Sequence, residues 1–237
     1  MKKDDDDFWG ERMCKPSAGM DVLFNRKKLE KQKAIQQLEE KNGLKIFVTD
    51  TQGHRIATGH DVAGGVGLDS STTVAIDFDT LPAAQVVATY ACNTIKPDMF
   101  GYEIKRQVDL IGAEVVAIEN NKFDSAIQVA KQEQVPLYMT EGKIISINQP
   151  KPKNYGWNTN SLTKSKMLFA LAKAIENDML YLNDEALIQE LKSYTRNDLI
   201  DNEKDPRLTT RHFDLLIACA IAWQMKDEFN KSFIEVI

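Results

Sequence analysis

Three acidic residues stand at the ends of predicted elements instead of on exposed faces. Asp61 closes the strand-like run RIATGHD just before a glycine-containing loop, Glu119 closes EVVAIE, and Asp214 heads the apolar helix DLLIACAIAWQ. In a sheet-based fold the ends of neighbouring strands lie together, and ligands gather there. Carboxylates gathered in this way repel, and each raises its neighbours' pKa unless a cation compensates. Mg²⁺ and Mn²⁺ are suited to that role because they prefer hard oxygen ligands. Two such ions roughly 4 Å apart stabilise both the attacking and the leaving oxygen of a phosphodiester hydrolysis.

Each acid also has a plainer reading, as a loop cap, a solvent-facing strand end, or a charge at a helix N-terminus worth about 0.3 to 1 kcal/mol. Their coincidence favours the metal reading. Asp69, in GVGLDSST, is read first as a turn residue and second as a further group approaching the metal. His212, two residues before Asp214, either positions a phosphate or water or is structural, and the structural reading is favoured. His60 precedes Asp61 on a strand, so it is expected on the opposite face, in packing. Gly64, Gly65 and Gly67 let backbone approach the site closely.

The elements that must position these residues follow from periodicity. RIATGHDVA, TTVAIDFD and AQVVATYAC are β-like runs in quick succession, separated by Gly64-Gly65 and Leu81-Pro82, which predicts an antiparallel three-strand meander. DMFGYEIKRQVDLIG places Phe100, Ile104, Val108 and Ile111 on one helical stripe. EVVAIE is a buried strand, FDSAIQVAKQE a helix and LYMT a further strand. That order predicts an α/β fold, a mixed sheet of an antiparallel meander plus parallel strands with helices on its faces. Upstream, residues 27 to 41 are rich in helix formers and end at Asn42-Gly43, predicting a helix with a glycine stop before the strand LKIFVTD. Residues 1–52 are read as a linker or flanking arm and 53–237 as the domain.

Residues 142 to 175 hold no Asp or Glu but contain Lys143, Lys151, Lys153, Lys164, Lys166 and Lys173. In a chain of net charge -5 this reversal suggests a polyanion-facing surface, with Tyr155 and Trp157 available to stack on a base. A solvated loop leading into an ordinary helix is the alternative. The net charge itself argues against coating nucleic acid by bulk electrostatics. With 237 residues, 43% hydrophobic and 27% charged, the chain has the composition of a soluble globular protein, and no apolar run approaches the roughly 18 residues of a membrane span. Its three cysteines form no C-x-x-C pair, which suits a reducing cytoplasm. The start MKKDDDDFWGER lacks the apolar stretch of a secretory signal.

GHDVAGGVGLDSSTTVAID, VVAIENN and RHFDLLIACAIA, in this order, resemble the three acidic motifs of the large terminase subunit of tailed bacteriophages. The resemblance is to its C-terminal nuclease domain, of the ribonuclease H-like superfamily that includes Holliday-junction resolvases. YGWNTNSLTKSKMLFALAKAIENDMLYL is similar to that domain's segment before the last helices, and the likeness spans roughly residues 50 to 225. The resemblance implies a ribonuclease H-like fold in which Asp61, Glu119 and Asp214 bind two Mg²⁺ or Mn²⁺ ions. It implies a metal-activated water that cuts concatemeric double-stranded DNA during genome packaging; the charge reversal adds Lys143, Lys151, Lys153, Lys164 and Lys166 as residues that seat the DNA. Its setting would be the cytoplasm of an infected bacterial host, beside an ATPase motor domain, a small terminase subunit and a portal, with no membrane. Two departures stand out. Phe213 occupies a place where many members carry a further acid, and no G-x-x-x-x-G-K-[ST] phosphate loop is present, so an isolated nuclease domain is expected. Other readings are a resolvase-like enzyme, a sugar-kinase or actin-like ATPase, which needs a longer chain, and a non-catalytic DNA- or portal-docking module.

Overall fold

The computed structural model describes residues 22–67, 69–80, 82–121, 123–141, 153–199 and 212–231. Its centre is a seven-stranded sheet. Strands β1 (Glu39–Lys41), β2 (Leu44–Ile46), β3 (Ile56–Asp61), β4 (Ser71–Asp77), β5 (Ala84–Cys92) and β6 (Val115–Ile118) lie in the order β1-β2-β5-β4-β3-β6. β9 (Leu180–Tyr181) pairs parallel with β5. β3, β4 and β5 form the expected antiparallel meander, and β6 runs parallel to β3 from Ala57↔Val115 to His60↔Ile118. The architecture is a ribonuclease H-like mixed sheet with helices on both faces.

Alternation along the central strands assigns those faces. Ile56, Ala75, Val116 and Ile118 enter one core with α2 (Pro97–Ile111) and α3 (Asp124–Gln132). Ala57, Val74, Ile76 and Ala117 enter the other, beneath α1 (Arg26–Lys31), α4 (Ser161–Glu176), α5 (Glu185–Ser193) and α6 (Asp214–Gln224). A period of two makes every other side chain face the same way. Asp61 therefore shares its face with Gly59 and Ala57, under α6, whereas His60 turns toward α2. There His60 is fully buried, bonded to Thr58 and Thr73 and edge-on to Phe100, which is the packing role expected of it.

α6 is apolar on nearly all sides because it is covered by the sheet below and by α4 and α5 around it. It crosses β3 at Gly59. A Cβ there would stand 2.1 Å from the Ala218 carbonyl oxygen and 2.4 Å from the Ala222 amide nitrogen, so only glycine permits this approach. The crossing fixes where the head of α6 lies relative to the end of β3.

The first 52 residues depart from the expected arm over their described part. Phe24 and Leu29 are core residues, β2 pairs with β5, and the Phe47 amide donates to the Val87 carbonyl. The helix expected over residues 27–41 ends at Lys31. Beyond it the Gln32 side chain exchanges hydrogen bonds with the backbone of Leu180 and Leu182, which holds the chain extended. Asn42 (φ 51°) and Gly43 (φ 82°) are the two central residues of the β1–β2 hairpin, not a helix stop. LYMT also differs: Leu137 makes one bridge to Val116, while β7 (Met139–Glu141) pairs with β8 (Lys153–Tyr155) in a separate two-stranded sheet.

Candidate active site

β3 and β6 end side by side. Past the last pair of their ladder, the Glu119 amide donates to the His60 carbonyl at 2.9 Å, which holds Glu119 beside Asp61. Both carboxyl groups open on the same cleft. After Asp61 the chain enters a loop that folds back on residues 93–96. The Gly67 amide bonds to the Asn93 carbonyl, and at Gly65 (φ 71°) a Cβ would stand 2.5 Å from the Ile95 carbonyl oxygen. The loop returns at Asp69 and Ser70, where it meets the head of α6.

That meeting is closely bonded. The Ser70 amide donates to Asp214 Oδ2 at 2.8 Å, and the Thr72 hydroxyl donates to the Asp214 carbonyl at 2.8 Å. His212 Nδ1 and Asp69 Oδ1 lie 2.6 Å apart. Phe213, at the cap position, offers no side-chain bond to the helix and packs edge-on against Tyr194 with ring centres 4.8 Å apart. The helix start is bonded from elsewhere: Glu190, on α5, accepts from the Leu216 amide at 2.8 Å.

Asp61, Asp69, Glu119 and Asp214 line one cleft of about 770 Å³, with Asn121, Thr159, Asn160 and Lys164 on its other wall. Burial is the main force raising the Asp61 pKa well above the ordinary carboxylate value, and the neighbouring Glu119 and Asp214 charges add to it. Part of the Asp61 surface opens to the cleft, but the packed ends of β3 and β6 desolvate the carboxyl itself. Asp214 is also raised, chiefly by burial, against the opposing hydrogen bond from Ser70. Burial pushes Glu190 up to about 8, partly offset by its amide donors.

The structure thus brings the three sequence-predicted acids to one cleft. Among the described residues, the set whose ligand atoms all lie within 4.8 Å of one another is Asp69, His212 and Asp214. Asp69, read first as a turn residue, lies in the same cleft as the three acids, and His212 is its partner. Only the approach of the loop to α6 brings these two together, 143 residues apart, and neither spacing nor composition announces it. Of the lysines, Lys164 lines the cleft and Lys153 lines a neighbouring cavity, while Lys166 is exposed on α4 away from both. Lys143 and Lys151 lie outside the described residues. The donor set, four carboxylates and one imidazole, suits hard divalent cations.

No protein-family model matches the chain, and no curated protein does. Solved structures do. The large terminase nuclease from thermophilic phage G20c superposes with a TM-score of 0.61 at 15% identity, over 86% of this chain and 98% of that one. The same nuclease with bound magnesium gives 0.61 at 16% identity, over 87% and 98%. The Thermus phage P74-26 large terminase nuclease domain gives 0.58 at 15% identity, over 86% and 95%. The fold is that of the large terminase nuclease domains. Within this fold the acidic cleft lies where β3 and β6 end beside the head of α6.

Proposed function

We propose that this protein is a metal-dependent endonuclease that hydrolyses phosphodiester bonds of double-stranded DNA. The observation that carries the reading is the convergence of Asp61, Glu119 and Asp214, from three separate elements, with Asp69 in the same cleft and His212 bonded to Asp69. A structural acid needs no such company, and carboxylates that repel one another at a single open cleft are suited to a cation.

Asp61, Glu119 and Asp214 would hold Mg²⁺ or Mn²⁺. Asp214 lines the cleft with Asp61 and Glu119 and also clusters with Asp69 and His212, so it would be the shared ligand if two ions bind. Divalent cations supply charge stabilisation to a phosphate under attack and favour ionisation of water at neutral pH. The chain's own groups do the rest. Ser70 and Thr72 fix the carboxylate and backbone of Asp214, and Asn121 donates to Glu119 at 3.3 Å. His212 is placed to take or return a proton at Nε2 while Asp69 orients the ring through Nδ1. Lys164, on the first turn of α4, faces the acids and would seat the phosphate.

The likeness to terminase nucleases supports a setting in viral genome packaging, where concatemeric DNA is cut in the cytoplasm of an infected bacterial host. The partners would then be an ATPase motor domain, a small terminase subunit and a portal. The test is supercoiled plasmid incubated with Mg²⁺, Mn²⁺ or EDTA. Nicked and linear products with metal and none with EDTA support the reading. Metal-dependent DNA binding without product favours a docking module, the reading that Phe213 in place of a further acid supports.

A further inference from the structure

A second cavity of about 630 Å³ lies behind one wall of the acidic cleft. The wall is made where the segment after β6 meets the segment after β8: the Trp157 amide donates to the Ile118 carbonyl, and the Asn120 amide to the Trp157 carbonyl. Consecutive residues divide between the two spaces, Glu119 and Asn121 lining the acidic cleft and Asn120 lining the second cavity. The second cavity therefore adjoins the acidic cleft across this wall.

The lining suits a nucleotide. Tyr155 and Trp157 supply aromatic surface, Asn120, Asn154 and Asn158 supply carboxamides, and Lys131 and Lys153 supply positive charge. The Lys131 ammonium sits 4.4 Å from the centre of the Tyr155 ring, so cation and ring present one surface. Lys153 lies opposite Glu141 in the β7–β8 ladder, and the one acid of the lining, Asp124, accepts from Gln128. Two polar atoms on the wall, Trp157 Nε1 and Thr159 Oγ1, are buried without a protein hydrogen-bond partner. Both atoms lie within the wall itself, and neither is exposed to either space. The volume falls within the range of sites that enclose small ligands.

We infer that this cavity is a nucleotide subsite, which takes one unpaired nucleotide of the DNA strand next to the phosphate held at the acids. The base packs on the Tyr155–Trp157 surface, and Lys131 and Lys153 face its phosphate. The inference rests on the nuclease reading for the position of the scissile phosphate, but the subsite binds single-stranded DNA whether or not cutting occurs.

The experiment measures binding of a fluorescein-labelled single-stranded oligonucleotide by anisotropy, with Ca²⁺ and then with EDTA, to the parent chain, Lys131→Glu and Tyr155→Leu. Lys131 is exposed on α3, so its charge reversal leaves the core intact, and the helical circular dichroism of each variant checks the fold. Stacking on one base corresponds to roughly 5- to 100-fold in affinity, and that loss is expected for Tyr155→Leu, with a smaller loss for Lys131→Glu. Mg²⁺ binding measured by calorimetry stays at the parent value in both. A parent chain that does not bind the oligonucleotide, or variants that bind it within twofold of the parent, overturns the subsite. Loss of the subsite with plasmid cutting intact leaves the nuclease reading standing. Tight, Tyr155-dependent binding by a chain that cuts nothing upholds the subsite and removes the nuclease reading.

Discussion

Gly59 of β3 and Ala218 of α6 touch backbone to backbone: a methyl group on Gly59 would lie 2.1 Å from the Ala218 carbonyl oxygen. This contact sets the height of α6 above the sheet, and with it the position of Asp214 over Asp61. Gly59→Ala is expected to push α6 outward and destabilise the fold by about 3 kcal/mol, the upper end of ordinary overpacking. That corresponds to a thermal midpoint about 6 to 12 °C lower for a domain of this size. Thermal unfolding checks the stability, and metal affinity, which should fall in the surviving folded fraction, checks the positioning.

Glu190 gives a pH dependence whose sign is fixed. Its carboxyl rises from an ordinary 4.5 to about 8 in the fold, so the folded chain keeps a proton that the unfolded chain has lost across that interval. Stability from this group is fully present below about 4.5 and declines as pH rises toward 8. Glu190→Gln still accepts from the Leu216 amide and cannot ionise. Urea midpoints from pH 5 to 9 should fall for the parent and flatten for the variant; parallel curves would contradict the assignment.

Asp61 sets stability against binding. Burial and two neighbouring acids raise its pKa, so ionisation above the ordinary 3.8 weakens the metal-free fold. Asp61→Asn removes that charge and is expected to stabilise the metal-free chain at pH 8 by on the order of 1 kcal/mol, with no gain below pH 4. Mg²⁺ binding should be lost in the same variant. In the parent, cation binding should tighten as pH rises and release protons, which calorimetry in two buffers of different ionisation enthalpy detects.

Asp69 and His212 are exposed, and their pair sits at the rim of the site. Asp69→Asn is expected to weaken cation affinity by about 10- to 100-fold while leaving some cutting at high Mn²⁺, the size of effect seen when a supporting group around a metal is removed. An unchanged Mn²⁺ titration would return Asp69 to a turn residue and leave Asp61, Glu119 and Asp214 as the whole set.

Much of this was legible in the sequence, for a physical reason. β3, β4 and β5 are buried strands of β-branched and small residues punctuated by glycine and proline, and each acid follows directly at an element end, so local pattern located Asp61, Glu119 and Asp214. The rest depends on contacts that local pattern does not contain. The segment after Lys31 is rich in helix formers, yet Gln32 finds backbone partners 148 and 150 residues away, and tertiary bonding overrides propensity. Asn42-Gly43 reads equally as a helix stop or a hairpin until a partner strand is known. Asp69 and His212 are unremarkable in one dimension and become a pair only because the loop after β3 is tied to α6 through Ser70 and Thr72. Phe213 is the converse case: its role is visible only once Tyr194 is seen beneath it.

The most direct test compares the parent chain with Asp214→Asn in plasmid cutting and Mg²⁺ binding, on preparations shown by thermal unfolding to be folded. Asparagine keeps the side-chain oxygen that accepts from the Ser70 amide but removes the charge that a cation needs. The account predicts that the variant stays folded and neither binds Mg²⁺ nor cuts, while the parent does both. A folded Asp214→Asn chain that cuts as fast as the parent would show that Asp214 serves only the start of its helix, and the proposed metal site would be wrong.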